Sequence, residues 1–299
     1  MDNQDVQAQL ERKKRIARMK TGIVLSIFGW MIVSFIAIVV LVVQVVSIRR
    51  DMGRDLLASE SPNQSTSDMK DYSNIVTGID TVDNMASEGD RHYVYLTFDG
   101  SPSNNTGRIL DILSTYNVKA TFFVVGNEDE EMKSVYQRIV NEGHTLGMHS
   151  YSNKYSSLYA STDAFMNDLE KLQGYLMNVT GVSSMFYRFP GGSGNQISDI
   201  NMVDYVRILN QRGITYFDWN VSAGDSANDY SIDDVVNQVA SGVRNYKTSV
   251  VLLHDADNKS TTVDALGPLI EALEKMDAEL LPIDENTNLI QYIHAESVE

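Results

Sequence analysis

Cysteine is absent from this chain. It can therefore build neither a disulfide framework nor a thiolate metal site. Positive charge is also scarce: 24 Lys and Arg stand against 40 Asp and Glu, a formal net charge of −16. A nucleic-acid partner calls for a basic patch, and this balance argues against one. No internal repeat is evident.

Charge of either sign is missing between Thr21 and Ile48, where the chain reads IVLSIFGWMIVSFIAIVVLVVQVVSI. That run is long enough to cross a bilayer with some tilt. Six cations (Arg12, Lys13, Lys14, Arg15, Arg18, Lys20) precede it, and Arg49, Arg50 and Arg54 follow. The bias places the N-terminus in the cytoplasm and the rest outside. A cleaved signal peptide would have a shorter apolar region and a small-x-small site, whereas Arg49-Arg50-Asp51 follows directly. The expected organisation is a cytoplasmic tail (1–20), a transmembrane signal anchor (21–48), an extracellular linker (49–90) and one domain (91–295) in a single-pass protein of the cell membrane. The linker contains SESPNQSTSD, with local structure expected near Ile75–Val82. Setting aside the three acids and six bases before the span leaves 37 acids against 18 bases. Such a surface repels polyanions at low salt and makes a neutral substrate easier to accept.

From Arg91 onward, two periodicities alternate. Helical spacing marks Thr106–Tyr116, Glu130–Glu142, Thr162–Asn178, Asp199–Arg212, Ile232–Asn245 and Val263–Asp277. Short dense apolar runs mark strands at Tyr93–Phe98, Ala120–Val125, Thr145–His149, Met185–Phe189, Thr215–Asn220, Ser249–His254 and Glu279–Ile283. This α/β alternation implies a parallel sheet or barrel with outer helices; seven βα units would close as a (β/α)7 barrel one unit short of eight.

Polar groups cluster where those strands end. YLTFDGSPS delivers Asp99, HTLGMHSYSNKY delivers His149, and FYRFPGG delivers Arg188. YFDWNVSAGD leads to Asp218 and Asp225, and SVVLLHD ends in His254. Strand ends in a barrel converge on one face, so groups distant in sequence can share one pocket. His92, His144 and His294 have no such company and read as structural or exposed. Glu128–Glu131 reads as a solvated helix start. Tyr216 and Trp219 fit either barrel packing or the border of a groove.

Over roughly Tyr93–Ile293 the sequence resembles the polysaccharide deacetylases, carbohydrate esterase family four. The motifs TFDGSPS, HSYSN, RFPGG, DWNVSAGD and LLHD occur in the family's order, with KATFFVVG between the first two. The resemblance implies a distorted (β/α) barrel, a divalent metal (often zinc) that activates water, and an N-acetylated glycan as substrate. It places Asp99 as base and His254 as acid. Arg188 would pair with Asp99, and Asp225 would support His254. The backbone N–H of Gly191 would help hold the oxyanion and Trp219 would border the substrate. His149 would be a metal ligand. Amide hydrolysis needs such a base, an acid for a poor leaving group, and donors aimed at the developing O⁻.

The sequence departs from the family at the metal. Gly100 stands where the family's second aspartate binds it, and Asn153 where its second histidine does. One remaining histidine falls short of the three protein ligands of catalytic zinc. A zinc-bound water has a pKa of about 7 against about 15.7 in bulk. At about 1.36 kcal/mol per unit, losing that shift removes up to roughly 12 kcal/mol of help in making hydroxide. A carboxylate of reference pKa about 3.9 is too weak a base to replace it.

Three readings follow: a deacetylase with a rebuilt metal site using Ser101, Asn153 or Asp257; a tethered glycan-binding pseudoenzyme; or an envelope interaction protein. The membrane reading is tested by fractionation. The full chain should sediment with membranes and resist alkaline carbonate extraction, while a chain lacking residues 1–48 should not.

Overall fold

The computed structural model describes residues 84–298 apart from Asn228. The segments read as tail and membrane span, and the linker up to residue 83, lie outside the described residues. Among the described residues no helix is long and apolar enough to cross a membrane.

Strands and helices alternate as the spacing implies. The order is β1 (Tyr93–Asp99), α1 (Thr106–Thr115), β2 (Thr121–Val125), α2 (Glu130–Asn141), β3 (Thr145–Ser150), α3 (Tyr155–Leu158), α4 (Thr162–Thr180) and β4 (Phe186–Tyr187). It continues with α5 (Met202–Gln211), β5 (Thr215–Tyr216), β6 (Val221–Ser222), α6 (Ile232–Val243), β7 (Thr248–His254), α7 (Ser260–Glu274) and β8 (Glu279–Leu280). All named pairings are parallel, in the order β5-β4-β3-β2-β1-β7-β6, and β8 pairs with the start of β1. This is an α/β parallel half-barrel consistent with the expected (β/α)7 barrel.

One expected strand is broken. Thr215–Asn220 reads as continuous, yet the chain forms two short strands flanking Phe217–Asn220. The break lies where the segment changes partner. Phe217 N–H donates to the Tyr187 carbonyl on the β4 side (2.9 Å), and Asn220 N–H to the Val250 carbonyl of β7 (3.2 Å). Between them, the Phe217 and Asp218 carbonyls accept from a guanidinium rather than from a strand. Residues 84–90, read as linker, already belong to the domain. Met85 bridges Tyr246, and the Asn84 side chain bonds both the N–H and the carbonyl of Thr248.

Pleating sorts the strand residues onto two faces. In β1, Val94, Leu96 and Phe98 join the large core under the helices, whereas Tyr95 joins a separate cluster with Phe123, Phe217, Val250 and Ile283. That second cluster lines the concave face of the sheet. Thr97 and Asp99 follow Tyr95 on the same face, so the pleat carries the carboxylate to its mouth. Gly147 of β3 is required there: a Cβ would stand 2.5 Å from the Phe123 ring. Helix starts are fixed locally, as where Ser231 and Asp234 form a reciprocal capping box on α6.

Phe98 is fully buried and stacks on Phe122 with centroids 5.1 Å apart. Phe98→Ala should cost about 3–5 kcal/mol in denaturant unfolding. A loss under 1 kcal/mol would show that this outer core does not hold the sheet.

Candidate active site

At the mouth of the concave face, Arg188 is the organising group. It follows β4 and is 0% exposed. Its Nη1 donates to Thr97 Oγ1 (2.6 Å) and Asp99 Oδ1 (2.9 Å), Nε to the Phe217 carbonyl (3.0 Å), and Nη2 to the Asp218 carbonyl (3.1 Å). The guanidinium carbon lies 4.2 Å from the Phe123 ring centroid. A guanidinium has five N–H donors and no acceptor, so burial demands this many partners. Thr97 accepts from it while donating to the Val251 carbonyl (2.6 Å).

His149, at the end of β3, bonds through Nδ1 to the Arg188 carbonyl at 2.9 Å. Nδ1 must carry the proton to donate to a carbonyl, which leaves Nε2 as the lone-pair nitrogen, the arrangement of a metal-ligating imidazole. Burial holds its pKa below the ordinary value, so it is poised neutral.

His254 ends β7 directly beside Asp99 in the β1–β7 register. Its Nδ1 and its backbone N–H both bond Asp225, each at 2.8 Å. Burial opposes the charged imidazole, but the Asp225 carboxylate outweighs it and raises the His254 pKa. Burial likewise opposes the Asp225 anion, yet His254 and Thr262 outweigh that and hold its carboxyl below the usual range.

Gly191 lies in a turn at φ +80° and its N–H makes no hydrogen bond among the described residues. The Trp219 ring stands edge-on to Tyr292 at 5.5 Å and is partly buried against the concave cluster, between the two roles open to it in sequence. The structure therefore brings Asp99, His149, Arg188, His254 and Asp225 to one end of the sheet.

Other expected groups stand elsewhere. Asp218 does not join the ring: its carboxylate accepts from the Ser193 and Tyr292 N–H groups, both at 2.7 Å, and burial raises its pKa. Ser101 donates to Asp255 (2.6 Å), and Asp257 accepts from the Asn104 N–H (2.9 Å), so both are committed to loop bonds. His144 is structural as expected, accepting from the Ala120 N–H, with burial lowering its pKa to about 4.

Several supporting residues escaped the sequence reading. Asp255 accepts from Ser101, Ser103 and Thr106, while its N–H donates to the Asp99 carbonyl (2.8 Å), tying the 100–106 loop to β7. Asp168 on α4 accepts from the backbone of Tyr151 and Ser152 and fixes the loop after His149. Asp255 is the last residue of the LLHD motif and Thr97 stands two before Asp99, so both carried a signal; Asp168, a mid-helix acid, offered none.

The donor set does not fit a zinc site. Gly100 has no side chain and holds φ +94°, Asn153 is a neutral amide at φ +50°, and among the described residues no three His, Asp or Glu are grouped to hold a metal.

An acid, a guanidinium and two imidazoles at the carboxyl ends of a parallel α/β sheet define a barrel hydrolase-type site. Residues 86–216 match the family model for polysaccharide deacetylase. A peptidoglycan-N-acetylglucosamine deacetylase of Bacillus cereus is 30% identical over 207 residues, 67% of this chain and 89% of that one. The catalytic domain of peptidoglycan N-acetylglucosamine deacetylase from Eubacterium rectale superposes with TM-score 0.64 at 36% identity, covering 70% of this chain and 95% of that one. A mutant of a Bacillus anthracis CE4-family pseudoenzyme with restored enzymatic activity aligns with TM-score 0.56 at 25% identity, covering 67% and 69%. This chain belongs to the polysaccharide deacetylase family.

The His254–Asp225 pair gives stability a two-sided pH dependence. The raised His254 pKa stabilises the fold fully below the unfolded value of 6.5, and this is lost as pH climbs through the folded value. The lowered Asp225 pKa stabilises above the unfolded value of 3.8, and this is lost as pH falls through the folded value. Urea unfolding across pH should show both limbs, and Asp225→Asn should flatten them. An unchanged profile in the variant would exclude the coupling.

Proposed function

We propose that this chain is a membrane-anchored protein of the outer cell surface that grips N-acetylated cell-wall glycan, peptidoglycan or chitin-like, in the groove of a deacetylase fold without ordinary metal-dependent hydrolysis. One observation carries the reading: two of three metal-donor positions are Gly100 and Asn153, while the Asp99–Arg188 and His254–Asp225 pairs are intact. In a working relative the metal supplies an activated water. Here Asp99 holds the base position, His254 faces the leaving amine, the Gly191 N–H faces the oxyanion, and Trp219 borders the sugar. These groups bind and orient an acetamido sugar, and nothing among them makes hydroxide at neutral pH. The family's deacetylases of peptidoglycan support the glycan as ligand, and a pseudoenzyme within it supports loss of turnover on an intact fold.

The rival reading is an active N-deacetylase with a rebuilt metal site, favoured by those same intact pairs. Purified full chain should carry metal well below one per chain and bind chitooligosaccharide by calorimetry with little or no acetate release. Full metal occupancy with turnover abolished by Asp99→Asn would establish the rival instead, and neither binding nor turnover would leave an envelope interaction protein. Gly100→Asp with Asn153→His should raise metal affinity by orders of magnitude, at about 1–3 kcal/mol of stability for a side chain at φ +94°. Flat affinity would mean these two positions are misassigned.

A further inference from the structure

Asp225 Oδ1 is occupied by His254 Nδ1, but Oδ2 has a second partner besides the His254 N–H: Thr262 Oγ1, at 3.0 Å. Thr262 lies on α7, and its hydroxyl in turn meets the Tyr230 hydroxyl at 2.9 Å. Proton counting fixes the direction. Asp225 is held ionised and only accepts, so the single Thr262 proton goes to it; Tyr230 must then donate to Thr262. Tyr230 O–H thus donates to Thr262 and Thr262 O–H to Asp225, which accepts from the His254 N–H groups on its other side, and Thr262 is 1% exposed. The Tyr230 ring is braced by Lys259, whose Nζ lies 5.6 Å from its centroid.

We infer that Thr262 and Tyr230 are positioning residues for the His254 imidazole, gripping Asp225 from the side the imidazole does not touch. A buried carboxylate with one lone-pair direction unfilled would turn to find a donor. With Thr262 in place it stays square to His254 and commits the ring proton to Nδ1, so that Nε2 is the nitrogen left for a ligand. The acid position of the family site is therefore set by two residues outside its motifs. The role of His254 toward a glycan rests on the proposed function, but its orientation does not.

The test uses the full chain in detergent with nitrogen-15 histidine, reading tautomer and pKa by NMR. The five histidines are few enough to assign by substitution, and the other four report on the fold. Asp225, Asp99, His149 and Lys259 all influence the His254 titration, so the tautomer is the decisive readout. In the parent chain neutral His254 should hold its proton almost wholly on Nδ1. Thr262→Val should give a mixture with Nε2–H, Thr262→Ser should restore the parent pattern, and Tyr230→Phe should shift it the same way by less. If Thr262→Val keeps the Nδ1–H form alone with an unmoved pKa, the inference is overturned. If Thr262→Val fails to fold, Thr262→Ser and Tyr230→Phe decide: a parent-like serine variant with a shifted phenylalanine variant supports it, and no shift in the latter overturns it. Glycan binding and acetate release play no part, so failure here is distinct from failure of the functional reading.

Discussion

A buried guanidinium sets the terms for everything around it. Arg188 has no exposure to water, and its charge is tolerable only because a carboxylate, a hydroxyl and two backbone carbonyls receive its protons. Meeting that demand breaks the strand after β5, since the Phe217 and Asp218 carbonyls turn inward. It also spends the inward face of β1 on Thr97 and Asp99, while the main-chain carbonyl of the same residue fixes the His149 ring. Removing one partner of such a pair typically costs about 3–5 kcal/mol, so the base position and the segment after β5 depend on the same guanidinium.

The acid position is held by a different device. His254 takes its backbone place from β7, but its ring depends on Asp225 and, behind it, on α7. The two halves meet where Asp99 and His254 lie side by side in register. This division explains how a chain can change its metal donors while keeping both pairs. Neither Arg188–Asp99 nor His254–Asp225 draws its partners from Gly100 or Asn153, so neither pair is disturbed by what stands there.

Much of this was legible in the sequence because strand ends are legible. Dense apolar runs closing on Asp99, His149, Arg188 and His254 give both fold class and convergence, since a parallel barrel leaves those ends nowhere else to go. What was hidden depends on contacts between segments far apart in the chain. Asp218 and Asp225 sit in one motif and look alike, yet one clamps the segment around Tyr292 and the other faces His254. Thr262 and Tyr230 carry no signal beyond ordinary helix and loop residues, because their meaning is a hydrogen-bond direction. The broken strand at Phe217–Asn220 was equally invisible: its composition favours β structure, and the competitor for its carbonyls lies some thirty residues upstream, Arg188 to Asp218 being |i−j| = 30.

Position 100 shows how deep the change at the metal goes. A missing ligand could be a side-chain matter on an unaltered backbone. Here Gly100 holds φ +94°, and a Cβ built on it would stand 3.1 Å from the Asp255 carbonyl oxygen. Asp255 cannot easily yield, since its N–H is bonded to Asp99 and its carboxylate to Ser101, Ser103 and Thr106. The loop is held in a conformation that suits glycine. A carboxylate placed at position 100 must therefore shift this loop by a few tenths of an ångström, against the backbone and the hydroxyl cluster that hold it.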